Sequence, residues 1–282
     1  MPADRPMDMP AEAAHTEPGG TPEPRGTPRV TLLTDFGTRD GYVAAMRGVL
    51  ATLAPAARVE DAAHDVPPGD IRHAAFALQA YWRRYPPGTI HLVVVDPGVG
   101  AARRALVGAA DGRLLVAPDN GVLGRVLAAA GAAELHAIEN PEFMGPDVSA
   151  TFHGRDVFAP AAAHLARGVP PDRFGAPVED PVPLDVPAPL RSEGVVQGEV
   201  VHVDRFGTLV SNIPAEWVER DASVSVEDKV VGGVWRTYAD VEPGQPVALI
   251  GSAGLLEVAV RNGSASRALG CERGAEVTLT RA

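Results

Sequence analysis

Two carboxylates stand directly after apolar, β-rich runs in the first half of the chain. Asp35 follows such a run in VTLLTDFG, and Asp96 follows another in TIHLVVVDPGVG. Ligands of open α/β sheets bind beyond the carboxyl ends of the strands, where both acids are expected. A carboxylate there can accept two hydrogen bonds from a ribose diol, or it can take up a proton. Each acid could instead be a turn residue that caps its own backbone.

A second group of reactive side chains lies in TFHGRD, residues 151–156. Phe152 and His153 precede Gly154, and an arginine and an aspartate follow it. Because glycine permits a tight backbone, the polar side chains can point into a cleft. His153 is a candidate catalytic residue, although a lone histidine can equally be structural. A metal site is not expected, because the eight histidines form no HxxxH or HExxH pair and the chain has one cysteine.

Other segments carry weaker signals. DPGVGAARR lacks the Lys-Ser/Thr pair of a P-loop and the third glycine of the dinucleotide fingerprint, so no phosphate cradle is predicted. DRFGTLVSN, residues 204–212, is interpreted as a turn between strands, where Phe206 could stack on a flat ligand or belong to the core. GSAGLLEVAVRNGSA, residues 251–265, carries Ser252 and Glu257 in and around a predicted hairpin.

Strands and helices alternate in the first half, which predicts an α/β domain with a largely parallel sheet over residues 29–171. The clearest strand is the β-rich run Thr89–Val95, which is typical of a strand covered on both faces. The clearest helix begins after Asp70, a residue type suited to cap a helix N-terminus. The other predicted elements are helices over 41–53 and 121–130, a short strand over 59–62, and a hairpin over 105–116 that turns at Asp111-Gly112.

The second half reads differently. Residues 172–194 contain five prolines and no periodic pattern, which predicts a linker. Residues 195–282 are dominated by short strands, which predicts a smaller antiparallel β-barrel or sandwich domain. The predicted strands cover 195–203, 208–212, 224–231, 246–250, 255–260 and 276–280.

Composition narrows the possible function classes. The 282 residues are 45% hydrophobic and carry a net charge of −11. Nucleic-acid binders need an exposed basic stripe. The densest basic spots, Arg83-Arg84 and Arg103-Arg104, are too short to form one, so no nucleic-acid partner is expected. No apolar run approaches the ~20 residues of a membrane helix, and no membrane association is predicted.

The N-terminal segment and the cysteine content bear on location. Residues 1–28 are rich in Pro, Glu, Gly and Thr and are predicted to be a disordered tail. They contain no basic region followed by an apolar block, so no secretory signal is expected. Cys271 is the only cysteine and cannot form an internal disulfide, which fits a reducing cytoplasm.

The motifs become specific when they are taken in order from residue 29 to residue 282. They are TDFG, HDVPPGDIRHAAF, VVVDPGVG followed by RR, PDNG, SATFHGRDVFAP, D-x-FG and GS-x-x-x-LE-x-AV-x-NGSA. With this set the chain resembles the S-adenosyl-L-methionine (SAM) hydrolase family that forms adenosine, whose relatives are the SAM-dependent fluorinase and chlorinase. The resemblance implies an N-terminal α/β domain, a C-terminal β-barrel and a homotrimer. It also implies active sites between one subunit's N-terminal domain and a neighbour's C-terminal domain.

The resemblance also implies a reaction and a set of site residues. SAM would be cleaved by water at the ribose 5′ carbon to adenosine and methionine, with no cofactor. An Asp–Arg–His triad that activates the water matches Asp96, Arg103 and His153, and the carboxylate that holds the ribose hydroxyls matches Asp35. The segments expected to hold the rest of the substrate supply Phe152, Asp204, Phe206, Thr208, Ser252, Glu257 and Val260.

One departure and two alternatives remain open. The family loop commonly reads FGN, whereas Thr208 offers a shorter hydroxyl in place of the amide, which bears on affinity or specificity. A halogenase is the first alternative, although a carboxylate at Asp96 repels a halide and favours a polarised water. A non-catalytic SAM or adenosine sensor is the second. The presence of Asp96, Arg103 and His153 together argues against it, since a binder has no need of that trio.

Overall fold

The computed structural model describes residues 26–219 and 221–281. The predicted disordered tail, residues 1–28, therefore lies almost wholly outside the described residues. Two sheets follow along the chain, one in the first half with helices on both faces and one in the second half that closes on itself.

The first sheet has the strand order β2-β1-β3-β5-β4-β6. β1 pairs in parallel with β2 and β3, β3 pairs in parallel with β5, and β4 is antiparallel to both of its neighbours. The predicted α/β class with a largely parallel sheet is therefore confirmed. The strands are β1 (Arg29–Thr34), β2 (Arg58–Ala63), β3 (Ile90–Val94), β4 (Ala105–Ala110), β5 (Arg113–Pro118) and β6 (Ala133–Ala137).

Alternating side chains of the strands supply a core on each face of this sheet. In β1, Leu32 packs with Met46 and Phe158 on one face, whereas Leu33 packs with Leu78 and Trp82 on the other. The first face is covered by α1 (Tyr42–Leu53) and α4 (Ala159–Ala166), and the second by α2 (Ile71–Tyr81) and α3 (Gly124–Ala129).

Capping and composition explain which helices the sequence revealed. Asp70 is the N-cap of α2, because its Oδ1 accepts a hydrogen bond from the backbone N–H of His73 at 3.0 Å. Nearly all residues of α4 are buried, so its sequence has no amphipathic period from which a helix could be predicted. β6 is short and was also missed.

The second sheet closes into a barrel, which confirms the predicted class. Its order is β14-β10-β11-β12-β13-β9-β8, and β14 pairs with β8 to complete the ring, while β7 lies outside along β8. The pairing is antiparallel except between β11 and β12. The strands are β7 (Leu190–Ser192), β8 (Val195–Val203), β9 (Leu209–Pro214), β10 (Ala222–Val226), β11 (Lys229–Trp235), β12 (Pro246–Ile250), β13 (Leu255–Val260) and β14 (Glu276–Arg281), with α5 (Ala265–Leu269) between the last two.

One predicted strand is two strands. The run 224–231 was expected to be continuous, but β10 and β11 meet in a turn where Glu227 adopts a φ of 52°. Valines flank the turn on both sides, and glutamate is not a residue that usually marks a turn, so Glu227 at the left-handed position gave no signal.

The proline-rich segment is extended but firmly attached to the first sheet. Arg104 Nη1 donates to Asp180 Oδ1 at 2.7 Å, and the backbone N–H of Val182 donates to Asp119 Oδ1 at 2.8 Å. The two halves also meet directly, since Arg273 Nη1 lies 2.7 Å from Asp70 Oδ1. Over the described ranges, no helix has the length and apolar character that crossing a bilayer requires.

Candidate active site

Asp96 and Arg103 form a partly buried ion pair beyond the carboxyl end of β3. Arg103 Nε lies 3.0 Å from each oxygen of Asp96, and Arg103 Nη2 also contacts Oδ2. The Asp96 side chain is 5% exposed. Arg103 Cζ lies 5.2 Å from the centroid of the Phe158 ring, which supports the guanidinium from below. The two predicted residues are thus brought together in a fixed, bidentate arrangement.

His153 completes the group. Its Nδ1 lies 2.8 Å from Arg103 Nη2. Because a guanidinium can only donate, Nδ1 is the acceptor and the neutral ring carries its proton on Nε2. Burial lowers the pKa of His153, the positive charge of Arg103 lowers it further, and Asp96 and Asp156 oppose that shift. The imidazole is therefore neutral at neutral pH, with Nε2–H free to donate.

Close backbone approach allows the two loops of this group to meet. Gly100 has a φ of +80°, and a Cβ there would lie 2.5 Å from the carbonyl oxygen of Ala150. A side chain at position 100 would push the Arg103 loop away from the segment that carries His153. Gly100 of DPGVG thus allows the two loops to pack closely.

His153 is followed by a single π-helical turn, Gly154–Phe158, which continues into α4. Such turns are frequent at functional sites. Asp156 anchors this one, because Arg155 Nε lies 2.6 Å from its Oδ1 and the N–H of Ser149 donates to its Oδ2 at 3.0 Å. Burial would raise the pKa of Asp156, but these hydrogen bonds outweigh it and lower the pKa.

Asp35 lies in the loop after β1, the strand adjacent to β3. Its Oδ2 accepts a hydrogen bond from the backbone N–H of Gly69 at 2.7 Å. A Cβ on Gly69 would lie 3.5 Å from Cβ of Pro97, so the same turn also touches the residue after Asp96. Since β1 and β3 are parallel neighbours, Asp35 and Asp96 lie at the same edge of the sheet.

An aromatic cluster borders these acids. Phe152 packs edge-on against the rings of Phe36 and Tyr42, with centroid distances of 5.9 and 5.3 Å, and those two rings also contact each other. Tyr42 is half exposed, so the cluster presents an apolar wall to solvent. Phe152, singled out from TFHGRD, is part of this wall.

In the barrel, Asp204 builds a tight loop. Its Oδ1 accepts from the backbone N–H groups of Phe206 at 2.9 Å and Thr208 at 2.8 Å. Thr208 is buried, whereas the Phe206 ring is 79% exposed. Phe206 is therefore not a core residue. The loop and Val260 line an open cleft of about 1250 Å³ together with Tyr238.

Glu257 lies beside this cleft. Its Oε2 is 3.5 Å from the Tyr238 hydroxyl. Burial raises the pKa of Glu257, the nearby negative charge of Asp204 raises it further, and the Tyr238 hydrogen bond offsets part of the shift. Gly251 makes room for this carboxylate, since a Cβ there would overlap Glu257 Oε1. The cleft therefore combines an exposed aromatic ring with the carboxylate of Asp204, and the Glu257 carboxylate lies beside it.

The predicted residues form separate groups within one chain. Asp96, Arg103 and His153 meet at the end of β3, whereas Asp204, Phe206, Thr208 and Val260 line the barrel cleft. Ser252 belongs to neither group, since it lines a different cavity, together with Phe76 and Gln79 of α2. Across residues 26–219 and 221–281, no three His, Cys, Asp or Glu side chains gather as a metal ion would need.

Sequence reasoning missed several residues that shape the site. Asn120 of PDNG donates from Nδ2 to the Val95 carbonyl at 2.9 Å, directly before Asp96. Gly69 of HDVPPGD orients Asp35, and Tyr238 contributes to the cleft. Asn120 and Gly69 lie in motifs that the sequence analysis singled out without a role for either residue. Tyr238 lies in no such motif.

Comparison with known families gives a match to both halves of the chain. Residues 30–175 match the N-terminal domain, and residues 198–278 the C-terminal domain, of the SAM hydroxide adenosyltransferase family. An (R)-S-adenosyl-L-methionine hydrolase of Salinispora tropica is 43% identical over 268 residues, which cover 90% of this chain and 98% of that protein. The hydrolase of the same name from Thermus thermophilus is 44% identical, covering 89% of this chain and 98% of that protein.

A more distant relative and a solved structure are also similar to this chain over most of its length. A fluorinase of an Actinoplanes species is 27% identical, covering 91% of this chain and 99% of that protein. A crystal structure of an uncharacterized conserved protein from Thermotoga maritima superimposes with a TM-score of 0.83 at 38% identity, covering 89% of this chain and all of that one.

Proposed function

The chain belongs to the SAM hydroxide adenosyltransferase family, and we propose that it is a hydrolase that cleaves SAM with water at the ribose 5′ carbon. The products are adenosine and L-methionine. Two relatives of 43% and 44% identity are named (R)-S-adenosyl-L-methionine hydrolase. The observation that carries the proposal is the bridge that Arg103 makes between Asp96 and His153.

The chemistry of the substrate explains why a polarised water is needed. The water oxygen forms a bond to C5′ while the C5′–S bond breaks, and both electrons of that bond leave with sulfur. The sulfonium thus departs as the neutral thioether of methionine, so the leaving group needs no proton. Water is a weak nucleophile at neutral pH, and one of its protons must be removed. The protein therefore has to supply a base and hold the oxygen in line with the C5′–S bond.

We assign the base to Asp96. His153 Nδ1 is occupied by Arg103, and in the neutral ring Nε2 carries the proton, so the imidazole is a donor. His153 orients the water oxygen through Nε2–H. Arg103 stabilises the negative charge that develops on that oxygen and keeps Asp96 in place. General base catalysis contributes typically 10²–10⁴-fold.

Positioning of the substrate lowers the reaction barrier by more than general base catalysis does. Asp35 holds the ribose 2′ and 3′ hydroxyls, with Oδ2 oriented by Gly69, and Phe152 borders the sugar with its apolar wall. Fixing the ribose places C5′ opposite the water. Correct orientation of reacting groups can supply ~7–11 kcal/mol of barrier reduction.

The barrel cleft of a neighbouring subunit binds the remaining parts of the substrate. Phe206 is exposed at its rim and suits stacking on adenine, beside the buried Thr208 and Val260. Glu257 and Asp204 offer negative charge to the ammonium of the methionine part. Ser252 lies in the turn before the strand of Glu257 but lines a different cavity of the same chain, so we assign it no contact with this cleft. Within one chain these residues and the triad form separate groups, which supports sites that lie between subunits. The number of subunits that we propose, three, is the one that the family resemblance implies.

The reaction as proposed uses no metal or cofactor, because the protein's own carboxylate and guanidinium handle the proton and the charge. Activity that persists after treatment with a chelator tests this point. We also propose that the protein works in the cytoplasm, since Cys271 is a free, buried thiol. Fluorescence of a tagged chain in the producing cell checks the location.

The test is incubation of the purified protein with SAM, in separate reactions with excess chloride and fluoride, followed by chromatography. Adenosine and methionine are the expected products in all reactions. A 5′-halo-adenosine as the main product would identify a halogenase, and unchanged SAM that nevertheless binds would identify a sensor. Since the close relatives are named for the (R) epimer at sulfur, a mixture of epimers should lose that epimer first.

A further inference from the structure

His64, the first residue of the HDVPPGD motif, is buried and has no part in the triad. Its side chain is 7% exposed, and its Nδ1 lies 2.9 Å from Oγ1 of the fully buried Thr34. Thr34 is the first residue of TDFG and directly precedes Asp35. Its hydroxyl cannot reach a substrate, so the pair is not a nucleophile and its base.

A bulge in β2 brings His64 to this place. In the parallel ladder Leu32 pairs with Asp61, but Leu33 pairs with Ala63, so one residue of β2 is extra. The shifted register continues with His64 beside Thr34, whereas an unbroken register would set Ala63 there. Bulges re-aim side chains and are over-represented next to active sites.

The His64–Thr34 pair holds the backbone that follows Asp35. The N–H of Phe36 donates to Thr34 Oγ1 at 3.3 Å, and the N–H of Gly37 donates to the carbonyl oxygen of His64 at 2.7 Å. Five residues later in the same motif, Gly69 donates to the Asp35 carboxylate itself. One segment therefore fixes both the loop and the carboxylate that it carries.

The outer edge of the imidazole is held by a charged pair. His64 Nε2 lies 3.1 Å from Asp61 Oδ1, at an angle poor for a hydrogen bond, and Arg47 Nη1 lies 2.6 Å from both oxygens of Asp61. The ring is thus confined between Thr34 on the inside and Asp61 at the surface.

We propose that His64 is a positioning residue that, through Thr34, presets Asp35 to receive the ribose diol. This inference rests on the proposed function, because it takes the ligand of Asp35 to be a ribose. The same strand offers a comparison. Thr31 Oγ1 lies 2.8 Å from Nδ1 of the buried His91, which is a Thr–His pair of the same kind that does not touch the Asp35 loop.

The test measures discrimination between adenosine and 2′,3′-dideoxyadenosine by calorimetry, since only the first carries the diol. Wild-type protein should prefer adenosine, and Asp35→Ala should abolish the preference. His64→Ala should reduce the preference about tenfold, the upper range for a lost neutral hydrogen bond. His64→Asn keeps an amide near the Nδ1 position and should restore most of it. The matched control His91→Ala should lower the melting temperature while leaving the preference intact.

A double-mutant cycle separates positioning from general loosening of the fold. If His64 acts through Asp35, His64→Ala should have no further effect on adenosine binding in the Asp35→Ala background. Additive effects, or a folded His64→Ala protein with the full preference for the diol, would overturn this inference alone. A wild-type protein that binds both nucleosides equally, or neither, would overturn the assignment of Asp35 to the diol and this inference with it, whereas failure to form adenosine from SAM would overturn the proposed function. Thr34→Val, which removes the hydroxyl but keeps the volume, should reproduce His64→Ala.

Discussion

Arg103 and Arg104 are adjacent in the chain, yet their guanidinium groups lie in separate networks. Arg103 bridges Asp96 and His153, whereas Arg104 Nε lies 2.7 Å from Asp119 Oδ2 and its Nη1 reaches the proline-rich segment. Successive side chains of an extended segment point to opposite sides. One arginine therefore faces the proposed reaction, and its neighbour fastens two segments together.

Because the two arginines lie in separate networks, the same substitution at each position gives a test and its matched control. Arg103→Lys keeps the charge but replaces the planar fork with an ammonium that cannot hold both Asp96 and His153 in the same geometry. Hydrolysis of SAM should fall by about 10²-fold or more, the scale for loss of one preorganised donor. Arg104→Lys should lower thermal stability and leave turnover near wild type. Equal losses of turnover in the two variants would contradict the assignment of Arg103.

Asp96→Asn tests the proposed base. The amide keeps the shape and can still accept from Arg103, but it cannot take a proton from water. Turnover should fall by at least ~10², the low end for general base catalysis. The dissociation constant for adenosine should change much less, because Asp35 and the barrel supply most contacts. Near-normal turnover with an intact circular dichroism spectrum would mean that another group is the base.

The sequence revealed the elements that have a clear period or a clear cap. β3 is an unbroken apolar run, and α2 begins at the capping residue Asp70, so both could be predicted. α4 is buried on nearly all sides and the turn at Glu227 lacks a glycine, so neither left a signal. Closure of the barrel depends on the pairing of β8 with β14, a contact between distant segments that periodicity does not report.

The candidate site shows a similar division. The family resemblance implied a group of Asp96, Arg103 and His153, and the three side chains do lie together. Their catalytic roles stay a prediction. The separate location of Ser252 and the contribution of Tyr238 depend on how hairpins of the barrel fold back, which no local motif encodes. The role of Thr208 beyond its burial in the cleft loop stays a prediction.

Mixing two inactive variants tests whether the site is shared between subunits. One variant carries Asp96→Asn, and the other carries Phe206→Ala with Tyr238→Ala, which spares the triad. Co-expressed chains should form some sites with an intact triad from one subunit and an intact cleft from its neighbour. SAM hydrolysis well above that of either variant alone is expected. Activity equal to the two separate preparations, or an active monomer by light scattering, would argue that each chain holds a complete site.

Stability should fall in mild acid because of histidines buried in neutral form. Burial and, to a smaller extent, the adjacent His73 lower the pKa of His202 to about 4, although Asp204 and Asp70 oppose the shift. His202 also stacks on Phe76 at 4.3 Å. An unfolded histidine has a pKa of ~6.5. The unfolded chain therefore binds more protons between pH 4 and 6.5, and this contribution to stability, complete above that window, is lost as the pH falls through it.

Removal of the titrating group isolates this contribution. In His202→Gln, the slope of unfolding free energy against pH near pH 5 should decrease by about 1 kcal/mol per pH unit, the effect of roughly one proton. Urea unfolding at a series of pH values measures the slope. Burial also lowers the pKa of His91 to about 4, so part of the acid sensitivity should persist in the variant. Parallel curves for wild type and variant would show that His202 does not titrate in this range.

The fate of the water oxygen tests the central claim most directly. SAM is incubated with the protein in water enriched in oxygen-18, and both products are analysed by mass spectrometry. Attack at C5′ by a water held at Asp96, Arg103 and His153 places one labelled oxygen at the 5′ position of adenosine and leaves methionine unlabelled. Adenosine without the label, or a product that retains the C5′–S bond, would contradict hydrolysis at the ribose carbon.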